Sequence, residues 1–316
     1  MGLDPAPYYH DIAHCAQDAA AYWAHTADGV RIRLGHWPRQ NASGTVLIFP
    51  GRTEFIEKYA RIAQALSKRG LASLAIDWRG QGMADRLLDN PMIGHVARFT
   101  DYQKDVAAMV EAAQSLDLPR PFYLLAHSMG GAIGLRALMA GLEVDSVVFS
   151  GPMWGLQIKP HLRGPAWGLS LTMPLIGQGH RLPPGSKLDH HVLAEAFENN
   201  LLTRDRAEYE IMRQQLIEHP ELGLGGPSYV WLREALLEIR PLARRPSPRQ
   251  PCLTLLGSNE RIVDIPAIHH RMADWPGGRL EIVPDGEHEV LMESAEITEP
   301  LFDLTCAHFL TAPTRA

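Results

Sequence analysis

Hydrophobic positions along the chain fall into short unbroken runs separated by stretches with helical spacing. Thr45–Phe49 (TVLIF) is a β-rich apolar run that stops at Pro50-Gly51. From Glu57 to Lys68, Tyr59, Ile62, Ala63 and Leu66 recur on one helical face, and Gly70 follows where a C-cap belongs. Leu71–Ile76 reads as a second strand and Asp77–Met83 (DWRGQGM) as a glycine-rich loop. Thr100 and Gln103 have capping-box spacing ahead of the stripe Val106, Met109, Val110, Ala113. Phe122–Ala126 predicts a strand, followed by a helix through Ala140 and a strand over Val144–Phe149. The pattern resumes with a strand over Leu253–Leu256, a helix near Ile265–Ala273, a strand over Leu280–Val283 and a helix near Ile297–Leu310. Strands that are apolar throughout predict burial on both faces. The fold class is therefore α/β, a mostly parallel central sheet with helices on both faces.

Between Pro152 and about Arg249 this alternation stops. Trp154, Trp167, Pro174, Pro183 and Pro184 crowd the first half, helical pieces follow around Val192–Leu202 and Arg206–Glu218, and RPLARRPSPRQP (240–251) reads as a stiff, solvated tether. The length supports an insertion. Of 316 residues, 1–151 and 241–316 make one α/β domain of ordinary size, about 230 residues, interrupted by 152–240.

Composition removes several function classes. With 46% hydrophobic and 21% charged residues the chain can bury a core, which excludes disorder as its main state. Thirty basic against 36 acidic residues give a net charge of −6, which argues against nucleic acid as a partner. Cys15, Cys252 and Cys306 form no closed disulfide framework and no CxxC pair, pointing to a reducing compartment. The amino terminus lacks a basic segment followed by an apolar run, and the most apolar stretch, 165–177, is too short to span a bilayer. A cytoplasmic protein is expected. No dinucleotide fingerprint or P-loop is found, so no cofactor is implied.

Candidate chemistry centres on Ala126-His127-Ser128-Met129-Gly130, set between an apolar strand and a helix as a nucleophile elbow requires. Small residues must flank a serine on so tight a turn, and Ala126 and Gly130 meet that need. The base comes last in such chains, and His288 in PDGEHEV follows the final strand. His269, His270 and His308 fall in predicted helices without metal-ligand spacing, so no metal site is expected. The acid belongs after Leu253–Leu256, where Glu260 and Asp264 compete, Asp264 also being placed to cap the next helix. An oxyanion hole needs two N–H donors. Met129 supplies one and Arg52, in the loop after the first apolar run, the other; the Arg52 guanidinium is free to pair with Glu54 instead.

These residues, in the order Ser, acid, His, resemble the α/β-hydrolase superfamily. The segments FPGRTEFIEKYARIAQALSKRGLASLAIDWRGQG, AHSMGG, LLGSNERIVD and PDGEHEVLMES are more narrowly similar to monoacylglycerol lipases and bacterial lysophospholipases. The resemblance implies Ser128 as nucleophile, His288 as base, Glu260 where the family usually has Asp, and Asp264 as the alternative acid. It also marks two departures: Pro50 where the family has His, loosening the hydrogen bonding there, and Ala126 in the elbow. The insertion is implied to be a helical lid (cap) over the site, with Trp154, Leu156 and Trp167 lining an apolar substrate path and the lid making transient contact with a membrane surface. The implied function is hydrolysis of lipid-like carboxylic esters through an acyl-enzyme. The alternatives are a short-chain esterase, a thioesterase, an aminopeptidase of the same fold, or a non-catalytic binding module.

Overall fold

A computed structural model describes residues 3–14 and 18–311. Cys15 lies outside them, and Cys252 and Cys306 are buried free thiols. Nine strands form one sheet: β1 (Asp4–Ala6), β2 (Ala20–His25), β3 (Arg31–Trp37), β4 (Thr45–Phe49), β5 (Ala72–Asp77), β6 (Phe122–His127), β7 (Val147–Ser150), β8 (Cys252–Gly257) and β9 (Arg279–Val283). Their order is β1-β2-β3-β5-β4-β6-β7-β8-β9. The strands from β5 to β9 in that order run parallel, and β3 joins β5 antiparallel.

Every residue of β4, β5, β6, β7 and β8 is buried. The two-residue period still sorts their side chains between two cores. Leu47, Phe49, Leu124 and Phe149 pack on one face, with α3 (Tyr102–Ser115), α4 (Met129–Met139) and α9 (Ile265–Ala273). Val46, Ile48, Leu125 and Val148 pack on the other, against α2 (Ala60–Lys68) and α10 (Ala295–Thr311). The register aligns Phe49 with Ala126, His127 with Ser150 and Gly257 with Val283. The last residues of these strands therefore meet at one carboxyl edge.

The loop after β5 is a structural hub. Asp77 bonds Arg33 at 2.7 Å and accepts the N–H groups of Ile56 and Met83, while Arg33 also forks onto Glu57. A Cβ at Gly82 would fall 2.3 Å from the Asp77 carboxylate, so glycine is needed there. Three local expectations change. The turn before α3 is closed by Asp101, which reaches back to the N–H of Arg98, rather than by Thr100 and Gln103; Gln103 instead donates to the Ile133 carbonyl. The antiparallel β1–β3 were not anticipated. The supposed tether is helical through Arg244, because Arg240 stacks over Trp167 at 4.4 Å and Leu242 is buried.

Between β7 and β8 the chain builds α5 (Pro160–Leu175), the short α6 (His191–Ala194), α7 (Arg206–Glu218) and α8 (Tyr229–Arg244). Val192, Leu202, Tyr209, Met212, Leu216 and Leu222 form a small core of their own that also takes in Phe55 and Ile12, the latter on the short α1 (His10–Ala13). Among the described residues no helix is long and apolar enough to cross a membrane.

Candidate active site

Ser128 sits between β6 and α4 with φ 50° and ψ −116°, a conformation that L-residues avoid. Its surroundings hold it there. Its N–H donates to the Ser150 carbonyl, and its own carbonyl accepts from Gly131 and Met153. A Cβ at Gly130 would strike the Phe49 carbonyl oxygen at 2.1 Å, and one at Gly131 would meet Pro152 at 2.6 Å. Ala126 is accommodated across the strand–helix interface, where a Cβ on Gly134 would lie 3.4 Å from the Ala126 methyl.

His288 follows β9 and is buried, with its Nδ1 2.6 Å from Glu260 Oε2. The other Glu260 oxygen accepts the N–H groups of Ile262 and Val263. Burial works to raise the pKa of Glu260. The hydrogen bond and charge of His288, helped by the two N–H groups, outweigh it and hold the carboxyl below its ordinary value. Gly151, at φ +47°, makes room for the pair; a Cβ there would lie 3.1 Å from His288 Nδ1 and 3.2 Å from Glu260 Oε2. Asp264 takes the other role open to it. It is the N-cap of α9 and accepts the N–H of Ala267.

The loop 50–54 is pinned on all sides. Trp78 Nε1 donates to the Pro50 carbonyl, Gln81 brackets the Gly51 carbonyl and the Thr53 N–H, and Glu54 accepts the Gly51 N–H. The hydrogen bonding expected to loosen at Pro50 is instead supplied by these three side chains. None of the pins uses the Arg52 N–H. Met129 opens α4, where an N–H has no intrahelical acceptor.

Below this loop lies a buried cluster that the sequence reading missed. Lys58 Nζ bonds Glu54 and Glu289 at 2.7 Å each, and Tyr59 donates to Glu54. Burial alone would raise the pKa of Glu54; Lys58 first, then His127, push it down to about 2. Burial likewise brings His127 to about 4, leaving it neutral at pH 7. Glu54, His127 and Glu289 present ligand atoms within 4.8 Å of one another, but the Lys58 ammonium already bridges the two carboxylates. Only fragments of it were legible: Glu54 and Lys58 are four apart, and His127 and Glu289 adjoin Ser128 and His288, but nothing local joins the two parts.

Ser128, His288, Arg52 and Met129 line a cavity of about 570 Å³, ordinary for a small-molecule site. Apolar Phe55, Leu156, Val192, Leu202, Met212 and Ile262 share its wall. Of the insertion residues singled out from the sequence, Leu156 lines this cavity. Trp154 and Trp167 do not. Trp154 is a core residue against Phe149 and Trp275 whose Nε1 donates to the Gly131 carbonyl, and Trp167 is taken up by Arg240.

The family model described as "Serine aminopeptidase, S33" matches residues 40–295. The chain is 33% identical over 278 residues to lysophospholipase L2 of Escherichia coli, spanning 84% of this chain and 80% of that protein. It is 23% identical over 274 residues to phospholipase YtpA of Bacillus subtilis, spanning 82% and 96%. Among solved structures, a soluble variant of monoglyceride lipase from Saccharomyces cerevisiae, in complex with a substrate analog, superposes with a TM-score of 0.71 at 19% identity, covering 92% of this chain and 95% of that one. The chain belongs to the serine aminopeptidase S33 family and has the α/β-hydrolase fold.

Proposed function

We propose that this protein hydrolyses carboxylic esters of lipid-like substrates, of the lysophospholipase or monoacylglycerol lipase type, through an acyl-enzyme on Ser128. One observation carries the reading: a strained serine shares a mainly apolar cavity with a histidine whose far nitrogen is held by a buried carboxylate. Ser128 Oγ attacks the ester carbon as His288 takes its proton, and Glu260 steadies the imidazolium. The N–H groups of Arg52 and Met129 receive the negative oxygen of the tetrahedral intermediate. His288 returns the proton to the leaving alcohol. Water, deprotonated by His288, then releases the fatty acid and restores Ser128.

Residues 1–151 and 241–316 serve as the catalytic domain, and the insertion serves as a lid. The exposed apolar side chains of α5 suit peripheral contact with a lipid surface. An aminopeptidase needs a free carboxylate for the substrate ammonium. Here Glu54 and Glu289 are taken by Lys58, and Glu195 by Lys187. Profiling with p-nitrophenyl esters alongside lysophospholipid and monoacylglycerol tests the reading. Activity on both lipids is expected; a maximum at acetate or butyrate with no lipid turnover refutes it.

A further inference from the structure

Arg52 is a cation in the cavity wall with no acid beside it. Its Nη1 donates to the Gly225 carbonyl at 2.8 Å, and its guanidinium lies over Trp231 at 5.6 Å. Among the described residues no carboxylate pairs with it. The alternative pairing with Glu54 does not form, since that carboxylate is taken by Lys58, Tyr59 and Gly51. The other cation lining the cavity, Lys58, is neutralised by two glutamates. Burial lowers the Arg52 pKa to about 10, so the charge persists at neutral pH. A half-buried charge without a counter-ion is costly, and an anionic ligand group in the cavity would complete the pair.

We propose that the Arg52 guanidinium receives the phosphodiester of a lysophospholipid headgroup, making Arg52 the residue that separates phospholipid from neutral glycerolipid substrates. The inference rests on the lipid-ester reading above and names the substrate class within it. The reach is suitable. In a 1-acyl glycerophospholipid the ester carbon and the phosphorus are about six bonds apart, and arginine spans about five from Cα to Cζ. With the ester oxygen at the Arg52 N–H, the same residue's side chain extends over the distance to the phosphate. Its planar fork suits two phosphate oxygens, while Trp231 lies 5.6 Å away as a cation–π neighbour.

The test compares 1-oleoyl lysophosphatidylcholine with 1-oleoylglycerol in matched detergent micelles, measuring oleate release by wild type, Arg52→Gln and Arg52→Lys. The readout is the ratio of kcat/KM for the two lipids, because any damage to the oxyanion loop lowers both and cancels. Arg52→Gln should lower the ratio by about 10- to 100-fold, the scale of a charge-assisted contact, and Arg52→Lys should recover part of it. A thermal melt accounts for the lost bond to Gly225. An unchanged ratio in a folded Arg52→Gln overturns the assignment. An unchanged ratio with relieved inhibition by added oleate also overturns it, giving Arg52 to the product carboxylate. Wild type that cleaves p-nitrophenyl butyrate but neither lipid overturns the lipid reading itself, and the assignment with it.

Discussion

The sheet and the insertion solve opposite problems with the same apolar residues. Five consecutive strands of the sheet bury every residue, whereas the sixteen-residue α5 of the insertion buries only Ser170. Leu175 and Ile176 at its end are 83% and 67% exposed. The close packing of the sheet allows a residue at φ 50° to persist, since such strain costs about 1–3 kcal/mol and must be over-determined by its neighbours. The insertion, by contrast, is loosely packed along α5. It supplies apolar wall, through Val192, Leu202 and Met212, and an outer face that tolerates exposure. The strained serine and the apolar cavity wall thus come from regions of different packing density.

The largest effect should come from the carboxyl edge of the sheet. Glu260→Gln should lower kcat by about 10³- to 10⁴-fold, as expected when a histidine loses the anion that orients it. Asp264→Asn, at the cap of α9, should change kcat less than tenfold; steady-state kinetics giving the reverse order would move the acid role to Asp264. Within the core, Phe149→Ala on β7 should cost about 3–5 kcal/mol in urea unfolding, through the cavity it leaves against Trp154 and Trp275. Leu175→Ser on the insertion should stay within about 0.5 kcal/mol. Equal costs at the two sites would erase the distinction between the regions.

A smaller, pH-dependent effect marks the cluster beneath the site. The Glu54 pKa is lowered from the ordinary 4.5 to about 2, so its stabilisation is complete above about 4.5 and disappears as pH falls toward 2. Wild type should therefore exceed Glu54→Gln in unfolding free energy at pH 6, by a margin that shrinks between pH 4.5 and 2. A constant margin would show that Glu54 acts through packing alone.

What the sequence disclosed follows the same division. β4 to β8 were legible because each is a short, largely apolar run bounded by glycine, proline or a charged turn, and β9 (RLEIV) from its apolar Leu280, Ile282 and Val283. β2 (AAYWAH) and β3 (RIRLGHW) were not, since their polar residues find partners only in the fold: Arg33 with Asp77 and Glu57, and Trp37 with the Tyr8 hydroxyl. Pro165 and Pro174 concealed α5, and Pro241 with its arginines concealed the end of α8. The positions of Ser128 after β6 and of His288 after β9 were readable from strand context. The choice of Glu260 over Asp264 required the folded distance, because both follow β8 and only their orientation separates imidazole from helix cap. The Glu54–Lys58–Glu289 cluster joins segments 231 residues apart, a separation that no local pattern reports.

The central claim, a single activated serine at the carboxyl edge, is tested most directly by labelling the native protein with a fluorophosphonate, followed by intact mass and peptide mapping. One adduct on Ser128, absent from a folded Ser128→Ala variant, is the predicted result. An unlabelled native protein, or an adduct that persists in Ser128→Ala, would contradict it.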